Sequence, residues 1–155
     1  MPGTTILGKG PTQYFTTIRN DNAAGGNNLT NGQAIEWKAD GTRDGIDAER
    51  CATAAFLTLF VGLIPEGHTI EPQEYGLCQI YGYHGSADIY AHGTATNSNI
   101  AIGDVFSPSS GGPLTAVRAG SVLTEQPPLV VALETVASSG TSTVATTCKV
   151  FIRCM

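Results

Sequence analysis

The chain has 155 residues, the common size of a single domain, and 41% of them are hydrophobic, which is enough to form a buried core. Only 14% are charged, against roughly 25% in ordinary soluble domains, and Gly, Ser, Thr and Asn make up the difference. The net charge of −5 argues against a nucleic-acid partner, because such binding depends on Lys and Arg neutralising phosphates.

The first ten residues, MPGTTILGKG, lack the basic start and apolar core of a secretory signal, so we expect synthesis in the cytoplasm. The stretch from Gly3 to Gly10 matches a phosphate-binding P-loop until its last position. There Gly10 replaces the Ser or Thr whose hydroxyl binds magnesium, and no strand precedes the loop. We therefore expect no nucleotide and no other cofactor.

Residues 1–33 contain little periodicity and many turn-forming residues, as in GKGPT and NDNAAGGNNLTNG. Their few apolar side chains, among them Tyr14, Phe15 and Ile18, are too sparse to form a core of their own. We interpret this segment as an extended N-terminal arm whose three apolar side chains either lie on the domain or reach a partner, and we favour the partner. A solvated tail is the alternative.

Residues 34–155 show a β pattern, which begins with QAIEWK, where Ile35 and Trp37 share a face. The segment DGIDAERCATAA could begin a short helix capped by Asp44 or Asp47, but strand-forming residues follow at once. Further strand candidates are GLCQIYGY, ADIYAH, GDVF and STVATTCKVFIR, with turns such as PEGHT and PSSGGP between them. The sequence therefore predicts one compact all-β domain, a sandwich or a barrel-like fold, with little helix.

Two runs, AFLTLFVGLI and LVVAL, are apolar on both alternating faces. The strand residues concerned are Phe56, Leu57, Leu59, Phe60, Val61, Leu129 and Val131. A sheet with one face in water alternates more cleanly, so these strands lie between layers or are covered by a partner subunit. The longest apolar run, residues 52–64, falls short of the roughly 20 residues of a membrane helix, and we expect no membrane partner.

The stretch YHGSADIYAH places His84, Asp88 and His92 at four-residue intervals, which on a helix would form one metal-binding face. The glycines and tyrosines around them favour two strands joined near Gly85-Ser86 instead. Along one strand the three side chains would share a face, yet about 13 Å would separate successive candidates. We therefore predict no metal site.

Other candidate chemistry is also weak. Glu71 and Glu74 flank a proline in a turn-like segment, where solvated carboxylates are more usual than a glycosidase pair. His68 lies in the turn-like segment PEGH, and no histidine belongs to a nucleophile elbow. Four cysteines without CxxC spacing are expected to be buried thiols, with Cys148 and Cys154 on one face of CKVFIRC. We predict that the chain is not an enzyme.

Four stretches of the sequence, taken in their order along the chain, form a pattern. They are FVGLI, EYGLCQIYGYHGSADIYAHGTA, AIGDVF and PLVVALETVASSGTSTVATTCKVFIRC. Together they resemble the small capsid decoration, or cement, proteins of tailed bacteriophages. The resemblance covers roughly residues 55 to 153, and the first 50 residues depart from it. The matching positions are Val61, Gly62, Gly76, Gln79, Tyr81, Gly82, Gly103, Asp104, Ala132, Leu133 and Glu134.

The resemblance implies a compact, β-tulip-like domain that forms a homotrimer on the outer surface of a phage head, made in the host cytoplasm. Its partners would then be the major capsid protein and itself. The sequence has few charges, strands that are apolar on both faces and an arm that carries a few apolar side chains. These features also suit an interaction protein better than an enzyme. The alternatives are another virion part, such as a fibre or coat subunit, and a carbohydrate-binding β module.

Overall fold

A computed structural model describes residues 12–21, 26–38, 45–51, 59–91, 99–108, 113–117, 130–137 and 144–154. These residues form an all-β fold without an α-helix, as the sequence predicts. The strands are β1 Tyr14–Asn20, β2 Leu29–Thr30, β3 Ala34–Trp37, β4 Asp47–Arg50, β5 Phe60–Leu63, β6 Thr69–Ile70, β7 Tyr75–Ala91, β8 Val105–Pro108, β9 Leu114–Val117, β10 Val130–Ala132 and β11 Val144–Arg153. A pair of two-residue strands, β2 and β6, forms a separate small sheet.

The nine strands of the large sheet close on themselves, so the fold is barrel-like rather than an open sandwich. In the first ring the hydrogen-bonded order is β1-β4-β3-β5-β7, and β7 pairs back to β1. In the second ring the order is β7-β11-β10-β8-β9, and β9 pairs back to β7. The two rings therefore share β7, which is long enough at 17 residues to serve both.

Each ring has its own hydrophobic core. The first core consists of Ile18, Leu29, Ile35, Ala48, Val61, Ile64, Ile70 and Cys78. The second core consists of Ala34, Cys51, Phe60, Leu63, Ala87, Ile89, Ile100, Phe106, Leu114, Val130, Ala132, Cys148, Val150 and Ile152. Burial of these side chains is the main stabilising term of the fold.

The apolar residues on both faces of β5 are explained by its place between the two cores. All four residues of β5 are buried, with Val61 in the first core and Phe60 and Leu63 in the second. On the neighbouring strand β3, Ile35 lies in the first core and Ala34 lies in the second. Of the two explanations offered for the apolar faces, a position between two layers of the same chain therefore holds for β5. A partner subunit is not required to cover this strand.

Irregularities in strand register let β7 face both cores. Its pairing with β1 shifts between Gln79 and Tyr81, and its pairing with β11 shifts where Gly85 and Ser86 lie opposite Lys149. An extra residue of this kind is a β-bulge, which reverses the side-chain alternation beyond it. Two strands joined near Gly85-Ser86 were predicted, and this is wrong because the chain continues there as one bulged strand.

In the described part of residues 1–33, the structure favours the alternative in which the apolar side chains lie on the domain over an arm that reaches a partner. Tyr14–Asn20 forms β1, a strand of the first ring, and Ile18 is completely buried in the first core. Leu29 is buried in the same core. The boundary between residues 33 and 34 therefore divides one packed unit, and residues 1–11 lie outside the described part of the chain.

The short helix suggested at Asp44 or Asp47 is also wrong where it can be assessed. Asp47 begins strand β4 rather than a helix, and its carboxylate accepts a hydrogen bond from the Arg19 guanidinium at 3.0 Å. Asp47 is almost fully buried, so this ion pair links β4 to β1 and offsets the cost of removing the carboxylate from water. Asp44 lies outside the described residues.

Candidate interaction surface

His84, the centre of the possible metal motif, has a structural role. Its Nε2 lies 2.9 Å from the carbonyl oxygen of Ile64, and its Nδ1 accepts a hydrogen bond from the Ser86 amide at 3.2 Å. Because the carbonyl can only accept, the proton is on Nε2 and both nitrogens are occupied. Burial lowers the pKa of His84, which favours this neutral form.

Asp88 does not lie on the same face as His84. The bulge at Gly85-Ser86 places His84, Ala87 and Ile89 in the buried interior, whereas Asp88 is only partly buried on the other side. Burial raises the pKa of Asp88, against the opposing effect of His84. His92 lies outside the described residues, among which no group of three or more His, Cys, Asp or Glu side chains could hold a metal ion.

A polar cluster at one end of the first ring is also used by the fold. Lys38 Nζ lies 2.7 Å from Asp21 Oδ2, and Arg19 Nη1 lies 3.3 Å from Asp21 Oδ1 and 3.0 Å from Asp47 Oδ1. Gln73, in the turn before β7, accepts a hydrogen bond from the Arg19 guanidinium and donates one to the Asp21 carboxylate. The hydrogen bond from Lys38 is the main cause of the lowered pKa of Asp21. The charges of Arg19, Asp21, Lys38 and Asp47 therefore neutralise one another at the ends of β1, β3 and β4.

The carboxylates and thiols considered for catalysis are not arranged for it. Glu71 and Glu74 are exposed, and their backbones form the turn between β6 and β7. Cys51, Cys78 and Cys148 are buried and Cys154 is partly buried, all as free thiols. Burial raises the pKa of Cys148 to about 11 and that of Cys154 to about 12, so both remain protonated and weakly nucleophilic at neutral pH.

Residues that carry the family resemblance have roles in building the rings. A Cβ on Gly62 would collide with the Gln79 carbonyl oxygen, so only glycine lets β5 approach β7 this closely. The Gln79 amide nitrogen donates to the carbonyl oxygens of Tyr81 and Tyr83, at 3.3 and 2.8 Å, and so spans the first bulge of β7. Gly82 has a φ of +103° and lies against Thr12.

Two further motif segments contact each other. The Gly103 amide donates to the Ala132 carbonyl oxygen at 2.9 Å, and the Ala132 amide donates to the Asp104 carbonyl oxygen at 2.8 Å. The Asp104 carboxylate accepts from the Ala101 amide at 2.9 Å and so holds the turn that leads into β8. Glu134 accepts from the Lys149 amide at 2.8 Å, which lowers its pKa and joins β10 to β11.

Besides Ile46, which is 45% exposed before β4, four exposed apolar side chains of the first ring lie where β1 pairs with β7. Tyr14 is 44% exposed, Phe15 37%, Tyr75 62% and Leu77 43%. Thr17 is exposed directly opposite Leu77, and Phe15 is its diagonal neighbour on β1. We call Phe15, Tyr75 and Leu77 the apolar stripe; it lies on the outer face of the first ring.

An aromatic row lies beside this stripe, beyond the first bulge of β7. The rings of Tyr14 and Tyr81 are 5.6 Å apart with a tilt of 56°, and those of Tyr81 and Phe151 are 5.2 Å apart at 80°. The edge-to-face pair of Tyr81 and Phe151 and the tilted pair of Tyr14 and Tyr81 stabilise the contacts between the strands. These pairs do not make the flat platform on which sugar rings stack, so the row gives no support to a carbohydrate-binding module.

The structure separates the three predicted contact residues of the N-terminal segment. Tyr14 and Phe15 are exposed and available to a partner, whereas Ile18 is fully buried and cannot contact one without unfolding of the first ring. Its assignment as a contact residue is therefore wrong. Tyr75 and Leu77 were not singled out, although their alternation with Gly76 and Cys78 is the signal that could have placed them on an outward face.

The strand residues proposed for a core or a trimer contact differ in burial. Phe60 and Val61 are buried, and Leu59 and Val131 are partly buried. Leu133, at the end of the same apolar run as Val131, is 40% exposed. The other three, Phe56, Leu57 and Leu129, lie outside the described residues.

Comparison with known proteins adds no assignment, since no family model and no curated protein matches this chain. Among the residues that the structure describes, no helix is long and apolar enough to span a membrane.

Proposed function

We propose that the chain is a structural virion protein, a capsid decoration protein that binds the outer surface of a phage head as a homotrimer and stabilises it. Its main partner is the major capsid protein. The observation that carries the proposal is the apolar stripe together with Tyr14, because these side chains remain exposed on a body whose strands are paired into rings. Contiguous exposed apolar side chains of this kind mark interaction sites.

The size of this surface is adequate for a contact that acts in several copies. Large aromatic side chains present about 150–250 Å² each, so the exposed fractions of the three aromatic residues amount to roughly 300 Å². At about 25 cal/mol per Å², covering them contributes about 7 kcal/mol before the cost of association is subtracted. One such contact is modest, but three contacts from one trimer reinforce one another.

The polar groups give further support to an interaction protein. His84, the cluster around Asp21 and the pair Glu134–Lys149 all hold strands together in the described part of the chain. The sequence resemblance supplies the identity of the partner, since decoration proteins bind the coat subunits of the head. Another virion part is the alternative within the same class of structural proteins.

The test uses heads that lack the protein, mixed with the purified chain and sedimented. The double variant Phe15→Asp with Leu77→Asp introduces charges into the apolar stripe, and we expect its head binding to fall at least about tenfold. The matched control is Ile102→Asp, since Ile102 is 69% exposed and lies before β8 in the second ring, and we expect it to bind like the unaltered protein.

Two further readouts belong to the same experiment. Sedimentation of the free protein should give the mass of a trimer, and decorated heads should resist a higher temperature than bare heads. Failure of the unaltered protein to bind heads would contradict the proposed function. Equal binding by the double variant and the control would instead show that the apolar stripe is not the contact surface.

A further inference from the structure

The apolar stripe and Tyr14 together form the contact surface of the proposed function, which follows the pairing of β1 with β7. At one end of this surface, Tyr75 follows the turn between β6 and β7. At the other end, beyond the first bulge of β7, Tyr14 lies opposite Tyr81. At about 3.3 Å per residue along β7, the distance from Tyr75 to Tyr81 is about 20 Å.

The end of the contact surface at Tyr75 is acidic. Glu71 and Glu74 are both exposed in the turn that leads into β7, and the Glu74 amide donates to the Glu71 carbonyl oxygen at 3.1 Å, which keeps the two residues together. Arg19, which lies opposite Tyr75 on β1, is already paired with the carboxylates of the polar cluster and does not neutralise them. The exposed charge at this end is therefore negative.

The end of the contact surface at Tyr14 is basic. Arg153 on β11 is exposed and lies directly opposite Tyr81, which in turn lies opposite Tyr14. Residues that lie opposite one another on paired strands share a face, so Arg153 belongs to the same outer face as the contact surface. Lys149 also lies on this side of β11, but Glu134 compensates its charge at 3.1 Å. The exposed charge at this end is therefore positive.

We propose that the partner carries the opposite charges at the matching positions, namely basic side chains where it meets Glu71 and Glu74 and a carboxylate about 20 Å away where it meets Arg153. This inference rests on the proposed function, so the partner is the outer surface of the major capsid protein. The apolar side chains between the ends supply affinity without a preferred direction along the surface. The two charged ends fix one orientation of the chain on the head, since complementary charges determine register and partner more than they add affinity.

The opposite charges also select between kinds of partner. A uniformly acidic partner, such as a nucleic acid or an anionic lipid surface, is repelled by Glu71 and Glu74. A uniformly basic partner is repelled by Arg153. The surface of a folded protein holds both signs of charge at fixed positions, so it is the occupant that satisfies both ends at once.

The experiment measures the binding of the full chain to heads that lack the protein, at low and at high salt. One variant, Glu71→Lys with Glu74→Lys, reverses the acidic end, and a second variant, Arg153→Glu, reverses the basic end. We expect each reversal to weaken head binding at least about fivefold at low salt and less at high salt, where exposed charges are screened. The two variants change the net charge in opposite directions. A general attraction or repulsion between chain and head would therefore weaken one and strengthen the other.

Variants that preserve charge are the matched controls. Glu71→Asp with Glu74→Asp keeps the acidic end and Arg153→Lys keeps the basic end, so both should bind heads like the unaltered chain. The substituted side chains are exposed, so the reversals should leave the fold intact, which circular dichroism checks.

The outcomes separate this inference from the proposed function. If the unaltered protein does not bind heads, the proposed function fails and this inference fails with it. If the unaltered protein binds but either reversal binds as tightly or more tightly, the inference is refuted and the proposed function stands. Reversals that bind heads normally but change the mass of the free protein would show that the charged ends join copies of the chain, and they would also refute the inference.

Discussion

Ile18→Ala is the substitution that best tests whether β1 belongs to the folded body. Ile18 is completely buried in the first core, where Ala48 and Cys78 belong to the same cluster. Replacing a buried isoleucine by alanine costs about 2–5 kcal/mol, because transfer energy is lost and a cavity remains. That is a large part of the 5–15 kcal/mol by which domains are usually stable.

The expected loss converts into a readily measured shift. For a chain of this length, each kcal/mol corresponds to about 2–4 °C, so a loss of about 3 kcal/mol lowers the melting temperature by roughly 6–12 °C. Urea unfolding followed by circular dichroism gives the free energy directly. The control is Thr17→Ala on the same strand, which shortens an exposed side chain and should cost less than about 1 kcal/mol.

The result that would refute this reasoning is a stability of Ile18→Ala within about 0.5 kcal/mol of the unaltered chain, the range of ordinary surface substitutions. Ile18 would then lie on a dispensable arm after all. Deletion of residues 1–33 should also destabilise the protein, because it removes both β1 and β2 and exposes the first core. Residues 34–155 alone should fail to fold cooperatively.

Two other predictions concern titratable groups in the interior. Because burial lowers the pKa of His84 from 6.5, the unfolded chain binds more protons, and stability should fall as pH drops below about 6.5. Urea midpoints measured from pH 7 to 5 should decline less steeply for His84→Gln, and parallel curves would contradict this role. Native protein should react slowly with a thiol reagent, with Cys154 first, whereas the unfolded chain should yield four thiols. Rapid reaction of several native thiols would show that the second core is open.

The predictable parts of the fold are those in which apolar and polar residues alternate along a strand, because this alternation shows which side chains are buried. In β11 the inward residues Cys148, Val150 and Ile152 lie in the second core and Cys154 packs against it, as the pattern of CKVFIRC predicts. The two-faced run that contains β5 was likewise recognised as needing cover on both sides. Both predictions are confirmed because they depend only on residues that are neighbours in sequence.

Features that depend on bulges and on distant pairing could not be predicted. Nothing in YHGSADIYAH reveals that Gly85 and Ser86 lie opposite one residue of β11, yet this separates His84 from Asp88. The alternation of β1 is weak because Tyr14 and Phe15 are both exposed, so its membership of the first ring was missed. Asp47 looked like a helix cap because its partner Arg19 is 28 residues away.

The candidate site was only half visible in the sequence for a related reason. An exposed apolar residue is informative when its neighbours in space are also apolar, and for Phe15 the diagonal neighbour Leu77 lies on another strand. The residues that carry the resemblance, such as Gly62, Gln79 and Gly82, are constrained instead by contacts inside the rings. The positions that carry the resemblance are therefore constrained by the fold, whereas the proposed contact through Phe15, Tyr75 and Leu77 depends on their exposure.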